Sequence, residues 1–395
     1  MNEFRDRLKC YKNGTAAPEE AESLRLEIEK HEAISDFLAE EFNEQLPPME
    51  ETDDTLSAKR ISRKASLRLF LTVLLTVLSM AILTVALIGG CNLYFYNPNK
   101  GIQPTYGGDG QLLVDMIAFT ELHSPGYSTY WAKAWRDGPG SYQVRIRQQN
   151  VFLGESENYS EQVVRGKALG NDREMPNDYW HFPLMDAFGE RQGIVASYEG
   201  ETGERIFPSE KDWSEDLQAL AQLPDSCRAA VYVTFSKDLT LEQFSNLYKK
   251  WTGKLDFLYA AVVSDDKYMA STIGFAPDSA GTILEKNIPD EKEYPYFQLF
   301  QASDAEANQA TLWAKHFDSL LRYMSGRGEF LNTMASVNGI GDDYYREVLS
   351  YVNENGVKIY GVLLTGNVKS VQAFLAQESY SDFYVSGVRL SAFSD

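Results

Sequence analysis

SAKRISRKASLRLFLTVLLTVLSMAILTVALIGG, residues 57–90, is the stretch on which the reading of this chain turns. Leu69 to Gly90 is 22 residues without a charge. Coiled as a helix it is about 33 Å long, close to the hydrocarbon thickness of a bilayer, so it is expected to cross a membrane once. Lys59, Arg60, Arg63, Lys64 and Arg68 crowd its N-terminal side, whereas only Lys100 stands near the other side. Basic residues stay on the cytoplasmic side of a span. The expected address is therefore the plasma membrane, single-pass, with residues 1–68 cytoplasmic and residues 91–395 extracellular. A cleavable signal peptide needs an apolar stretch at the N-terminus, and MNEFRDRLKC is charged throughout, so the apolar run reads as an anchor. Tyr94, Phe95 and Tyr96 follow it, where an interfacial aromatic belt belongs.

The formal charge of the 395 residues is −20. Residues 1–58 hold 16 acidic and 6 basic side chains, and the five cations that follow stand out against them. Nucleic-acid binding needs clustered Lys and Arg to displace counterions, so no direct nucleic-acid contact is expected. Cys10, Cys91 and Cys227 are far apart and form no CxxC, which gives neither a disulfide framework nor a zinc knuckle.

Two helices are legible before the membrane. NEFRDRLKCYKNG sets Phe4, Leu8 and Tyr11 at helical spacing and stops at Asn13-Gly14. A longer helix opens near Pro18, with Glu19, Glu20 and Glu22 at the positive end of its dipole, and runs to about Leu46, ahead of Pro47-Pro48. Leu24, Ile28, Leu38, Phe42 and Leu46 form one stripe with Ile34 on its flank; Leu26, Ala33 and Phe37 lie nearly opposite. A hairpin this small cannot bury two faces, so one of them calls for a partner. PPMEETDDTL then reads as a polar tether.

Beyond the span, GIQPTYGGDG reads as a linker before structure resumes near Gln111. SYQVRIRQ alternates Tyr142, Val144 and Ile146 with polar residues, a half-buried strand. Residues 111–220 are otherwise expected to be strands and loops. AAVYVTF from Ala229, a helix opened by the capping box Thr240/Gln243, and FLYAAVV from Phe257 make a β-α-β unit. VKIYGVLL from Val357, a helix with Val371, Phe374 and Leu375, and FYVSGVRL from Phe383 make a second. Between them lie two helices, the first opened by Ser303 and Glu306 and facing Leu312, Trp313, Phe317, Leu320 and Met324 inward, the second ending at Asn355-Gly356. The expected architecture is a single-pass membrane protein: an N-terminal α-helical hairpin (1–46), an acidic then basic linker (47–68), one transmembrane helix (69–90), a linker (91–110) and an extracytoplasmic α+β domain with two β-α-β units (111–395).

No nucleotide-binding, zinc-protease or serine-hydrolase motif is present. His31, His123, His181 and His316 are scattered without metal-ligand spacing, so no catalytic residue, metal or cofactor is assigned and the chain is not read as an enzyme. TELHSPGY, residues 120–127, is the most site-like stretch, and a structural turn is its preferred reading. An outer-face hydrolase would need a polar cleft around His123 or His181, and none is expected.

The order of parts, together with NEFRDRLKCYKNG, EIEKHEAISDFLAEEF, VYVTFSKDLTLEQF and YVNENGVKIYGVLLTG, resembles the bacterial sigma factor regulator family, the membrane-bound anti-sigma factors of extracytoplasmic-function sigma factors. The HxxxCxxC of zinc-containing anti-sigma factors is missing, so zinc is unsupported. The resemblance implies an extracytoplasmic-function sigma factor as partner, held by the acidic N-terminal helices and kept from promoters at the membrane. Phe4, Leu8, Leu24, Leu26, Ile28, Phe37 and Leu38 then divide between hairpin core and partner contact. Release stays open among proteolysis, ligand binding and a second small membrane protein. The competing expectation is a single-span envelope sensor or solute-binding protein with a different cytoplasmic partner.

Overall fold

The computed structural model describes residues 9–14, 17–44, 55–102, 110–169, 188, 213–265, 272–278, 289–299, 308–334 and 340–390. The chain divides into two compact units, Met1–Ala81 and Ile82–Asp395. Phe4, Leu8, His181, Ser303 and Glu306 lie outside the described residues.

In the first unit, residues 9–12 are helical and the chain turns at Asn13-Gly14. Helix α1 follows, Pro18–Glu44, with Glu19 and Glu20 in its first turn. Leu24 is buried and Ile28 half-buried, while Leu26, Ile34, Phe37 and Leu38 are exposed. Helix α2, Thr55–Tyr94, is 40 residues long, so it extends beyond the uncharged run at both ends and takes in Lys59, Arg60, Arg63, Lys64 and Arg68. From Ala65 to Tyr94 it is long and apolar enough to cross a membrane. Residues 65–88 are exposed throughout, which separates this helix from the buried core helix of a soluble protein. Hydroxyls in its apolar run bond back along the helix: the Thr72 hydroxyl donates to the Arg68 carbonyl and the Thr76 hydroxyl to the Thr72 carbonyl, both at 2.8 Å. That back-bonding is how a hydroxyl is accommodated where no water is available.

The second unit opens with helix α3, Gln111–His123, in which every residue but Glu121 is buried. The expectation of strands and loops from residue 111 is corrected here. A helix buried all round has no polar face and so no amphipathic period to read. An antiparallel meander follows: β1 (Tyr127–Gly138), β2 (Ser141–Asn150), β3 (Ser156–Val164) and β4 (Lys167–Leu169), in that spatial order. Its Ala132, Ala134, Tyr142, Val144 and Ile146 are buried in one core with α3.

After helix α4 (Ser214–Ala221) come β5 (Cys227–Thr240), α5 (Leu241–Trp251), β6 (Leu255–Val262), β7 (Gly274–Phe275), α6 (Gln309–Ser325), α7 (Gly328–Met334), α8 (Asp342–Asn355), β8 (Lys358–Asn367), α9 (Val368–Gln377) and β9 (Tyr380–Leu390). The sheet order is β7-β6-β8-β5-β9, with every neighbouring pair antiparallel. Strands β5 and β6 both pair with β8, so they run parallel with one strand between them; β8 and β9 do the same around β5. The two strand-helix-strand segments are therefore interleaved, each completing the other's sheet, in a split β-α-β arrangement.

One face of this sheet packs on α5 and α9, with Phe244 against Phe257 at 5.9 Å and Trp251 against Phe374 at 5.3 Å between ring centres. The Thr240/Gln243 capping box opens α5 as its sequence predicts. Helix α6 instead starts at Gln309, where the Asn308 side chain accepts from the Ala310 N–H at 3.3 Å. The other face carries a smaller cluster, Ala230, Tyr232, Leu258, Tyr259, Ala261 and Leu363, with Phe152 and Phe188. Gly361 makes that cover fit, since a Cβ there would lie 2.6 Å from the Phe188 ring and 2.9 Å from the Val233 carbonyl oxygen.

Candidate functional site

Three places concentrate polar or unpartnered chemistry: the exposed flank of α1, the junction where α2 enters the second unit, and the polar groups that α3 carries into the core. On α1 ten acidic and two basic side chains surround the exposed apolar residues. Its Arg25–Glu29 pair, 3.3 Å apart, is more than half exposed at both ends and contributes little. Of the seven residues predicted to serve hairpin or partner, Leu24 is buried, Ile28 is half-buried, and Leu26, Phe37 and Leu38 are 52%, 64% and 57% exposed. Leu26 and Phe37 are eleven residues apart, three turns of helix, and so share one side.

At the junction residues 92–102 are held by specific contacts, while residues 103–109 of the expected linker lie outside the described residues. The Gly140 N–H donates to the Asn92 side chain at 3.0 Å, and Gly140, held at φ +65°, leaves room for Phe95, which a Cβ would approach to 3.0 Å. The Asn99 amide donates to the Ala134 carbonyl at 3.2 Å, and Lys100 meets Glu329 at 3.0 Å. Ile102 and Gln111 are joined by two hydrogen bonds, at 2.9 and 3.3 Å. Tyr96, just past the helix, is buried, and its hydroxyl has no hydrogen-bond partner. Burial and the nearby Asp115 push that hydroxyl far above its usual pKa.

Inside, α3 holds two polar nodes. Asp115 is fully buried and accepts from the Tyr323 hydroxyl at 2.6 Å, the Gln111 amide at 3.0 Å and the Arg327 guanidinium at 2.6 Å. Burial raises its pKa from the ordinary carboxylate value, and Arg327 with the two neutral donors pulls the other way. At the far end the two histidines differ in their surroundings. His316 Nδ1 faces the Tyr296 carbonyl at 2.8 Å and Nε2 faces Glu121 at 2.7 Å. Both partners offer acceptor oxygens, so the surroundings favour the protonated ring, which donates from both nitrogens. Burial pulls its pKa down, but the Glu121 carboxylate and the Tyr296 carbonyl outweigh burial and leave it raised. His123 Nδ1 donates to the Thr272 carbonyl at 2.9 Å, and Nε2 accepts from the Tyr345 hydroxyl at 2.7 Å. That ring is neutral, its pKa lowered by burial to about 4.

TELHSPGY is thus a structural turn. Glu121 also accepts from the Ala276 N–H at 3.2 Å, and the Leu122 and Pro125 carbonyls accept from the Tyr259 and Tyr232 hydroxyls at 2.5 and 3.3 Å. The partnership of Glu121 with His316 spans 195 positions and leaves no mark in either local sequence. Beside the turn a recess of about 480 Å³ opens on the second sheet face, bordered by Tyr127, Phe152, Tyr232, Leu363 and Tyr384. Among the described residues no group of three or more His, Cys, Asp or Glu side chains is placed to hold a metal ion.

Residues 220–381 match the family described as Sigma factor regulator C-terminal, a span that runs from the end of α4 into β9. A probable anti-sigma-M factor of Bacillus subtilis (strain 168), YhdL, is 22% identical to this chain over 403 aligned positions, covering 99% of each. No solved structure matches the chain.

Proposed function

We propose, on the premise of the match of residues 220–381 to the sigma factor regulator C-terminal family, that this chain is a single-span anti-sigma factor that holds an extracytoplasmic-function sigma factor at the plasma membrane. The observation that carries this reading is the end-to-end likeness to a probable anti-sigma factor, which takes in the acidic N-terminal helix, the apolar helix and the mixed α/β domain together. In this reading α2 crosses the bilayer with its basic first turns in the cytoplasm and the mixed α/β unit outside. The acidic helix α1 is steered to the basic surfaces that a sigma factor turns toward polymerase and promoter, and the apolar side chains it exposes supply the affinity. Leu24 and Ile28 then serve the hairpin, and Leu26, Phe37 and Leu38 serve the partner. The protein is a regulator without catalytic chemistry, and the outer unit receives the signal.

The test uses the full chain in detergent with the sigma factor encoded beside it. Leu26→Asp with Phe37→Asp places two charges in the proposed contact and is expected to weaken the complex about a thousandfold, since each lost apolar anchor costs roughly 2 kcal/mol. Sigma-dependent transcription should rise in cells that carry only this variant. Retained binding by the double variant moves the contact off this side of α1, and unchanged transcription on deletion of the whole gene removes the anti-sigma reading. The competing reading, an envelope sensor with a different cytoplasmic partner, draws on the recess beside Tyr232 and Tyr384, and the deletion experiment separates the two.

A further inference from the structure

The outward face of the meander carries a surface that nothing above uses. Strand β1 turns Ala132 and Ala134 into the core, which leaves Trp131, Lys133 and Trp135 on its other side. Their register partners on β2 are Arg147, Arg145 and Gln143, and the next positions on β3 are Asn158, Ser160 and Gln162. This three-strand face therefore holds three cations and two tryptophans against one carboxylate, Asp137, which accepts from the Gln162 amide at 3.0 Å at its edge, in a chain whose formal charge is −20. The cations lie against the rings: Arg147 is 4.9 Å from the Trp131 centre, Arg145 5.5 Å from Trp135 and Lys133 5.8 Å from Trp131. Such stacking keeps large apolar rings soluble while leaving each positive charge open on one side.

The same ribbon is fastened to the anchor. The β1–β2 turn is the one held to Asn92 and Phe95, directly after the apolar run, and Arg136, Arg165 and Lys167, with the single carboxylate Asp137, are exposed at this end of the meander. The acidic residues of the meander's opposite end, Glu155 and Glu157, flank the β2–β3 turn. Tryptophan and arginine are the side chains that favour the headgroup layer, one through its amphipathic ring and the other through phosphate oxygens. We infer that the Trp131–Lys133–Trp135–Arg145–Arg147 face docks onto the anionic phospholipid headgroups of the bilayer that anchors the chain. This inference rests on α2 spanning that bilayer, and it holds for whichever leaflet adjoins residue 91. Docking lays the ribbon along the membrane, and the lipid charge at the surface then governs the posture of the outer unit.

The full chain is reconstituted into vesicles of phosphatidylcholine, alone or mixed with phosphatidylglycerol, that contain a headgroup spin label able to quench tryptophan emission. Subtracting the emission of Trp131→Phe with Trp135→Phe isolates the two surface rings. Quenching of these rings is expected in the phosphatidylglycerol mixture, with loss in raised salt. Replacing both arginines, R145Q with R147Q, should lower the ratio of docked to undocked protein roughly 30-fold, about fivefold for each charge at an anionic surface. Both arginines are exposed, so the thermal transition of this variant should match that of the parent. Equal quenching in both lipid mixtures, or none in either, overturns the docking. Capture of an acidic peptide by this face with no lipid effect overturns it as well. Alkaline extraction separates the two ideas: protein released from the vesicles defeats the spanning reading, whereas protein retained with unquenched rings defeats the docking alone.

Discussion

Arg327→Met destabilises the second unit by about 3–5 kcal/mol, the usual consequence of leaving one member of a buried ion pair without its partner. Asp115 is fully buried, and Arg327 supplies the only full charge that contacts it among the described residues. Without the guanidinium the carboxylate must stay ionised in the core or take up a proton, and its pKa is already raised by burial. Denaturant unfolding of the full chain in detergent, followed by tryptophan emission, measures the loss. Asp115→Leu combined with Arg327→Met should recover most of it, because an apolar pair of similar volume carries no desolvation penalty and Gln111 still reaches the Tyr323 hydroxyl at 2.6 Å. A double variant as unstable as the single one would show that the guanidinium acts through packing.

Acid is the second large lever. His123 is buried and neutral, with a pKa of about 4 against 6.5 for a free imidazole. A base whose pKa is lower in the folded state than in the unfolded one stabilises the fold above the unfolded value. That stability is lost as pH falls from about 6.5 toward 4, and the shift corresponds to about 3 kcal/mol. His316 carries the opposite sign: its raised pKa gives stability that is complete below the unfolded value and fades as pH climbs through the folded one. His123→Gln should therefore flatten the acid limb of the stability profile, and His316→Gln the neutral-to-basic limb. Equal slopes below pH 6.5 for the parent and His123→Gln would count against the neutral ring.

The elements legible in the sequence were those with a period. Tyr142, Val144 and Ile146 alternate and lie buried on β2; Phe244, Leu247 and Trp251 repeat at helical spacing and are buried on α5. Helix α3 was not legible, since its polar residues are buried along with its apolar ones and leave no solvent-facing stripe to mark a helical period. The interleaving of the two strand-helix-strand segments was hidden for a different reason: pairing between β5 and β8 joins residues more than a hundred positions apart, and each strand satisfies its own alternation whatever its neighbour. The polar nodes escaped for the same cause. Asp115 and Arg327, like Glu121 and His316, meet only after folding, and neither member of a pair sits in a recognisable motif.

The seating of residues 91–102 against the α/β domain bears on how such a protein can be taken apart and rebuilt. Asn92, Phe95, Asn99 and Lys100 meet side chains or backbone of the meander or of the helical core behind it, and the Tyr96 ring is buried in that core. The graftable module therefore starts at Cys91, where the anchor ends, although glycine-rich sequence invites a cut near Gly110. A chimera that joins a foreign helix at residue 110 strips the module of the contacts that residues 92–102 make with it; one joined at residue 91 keeps them.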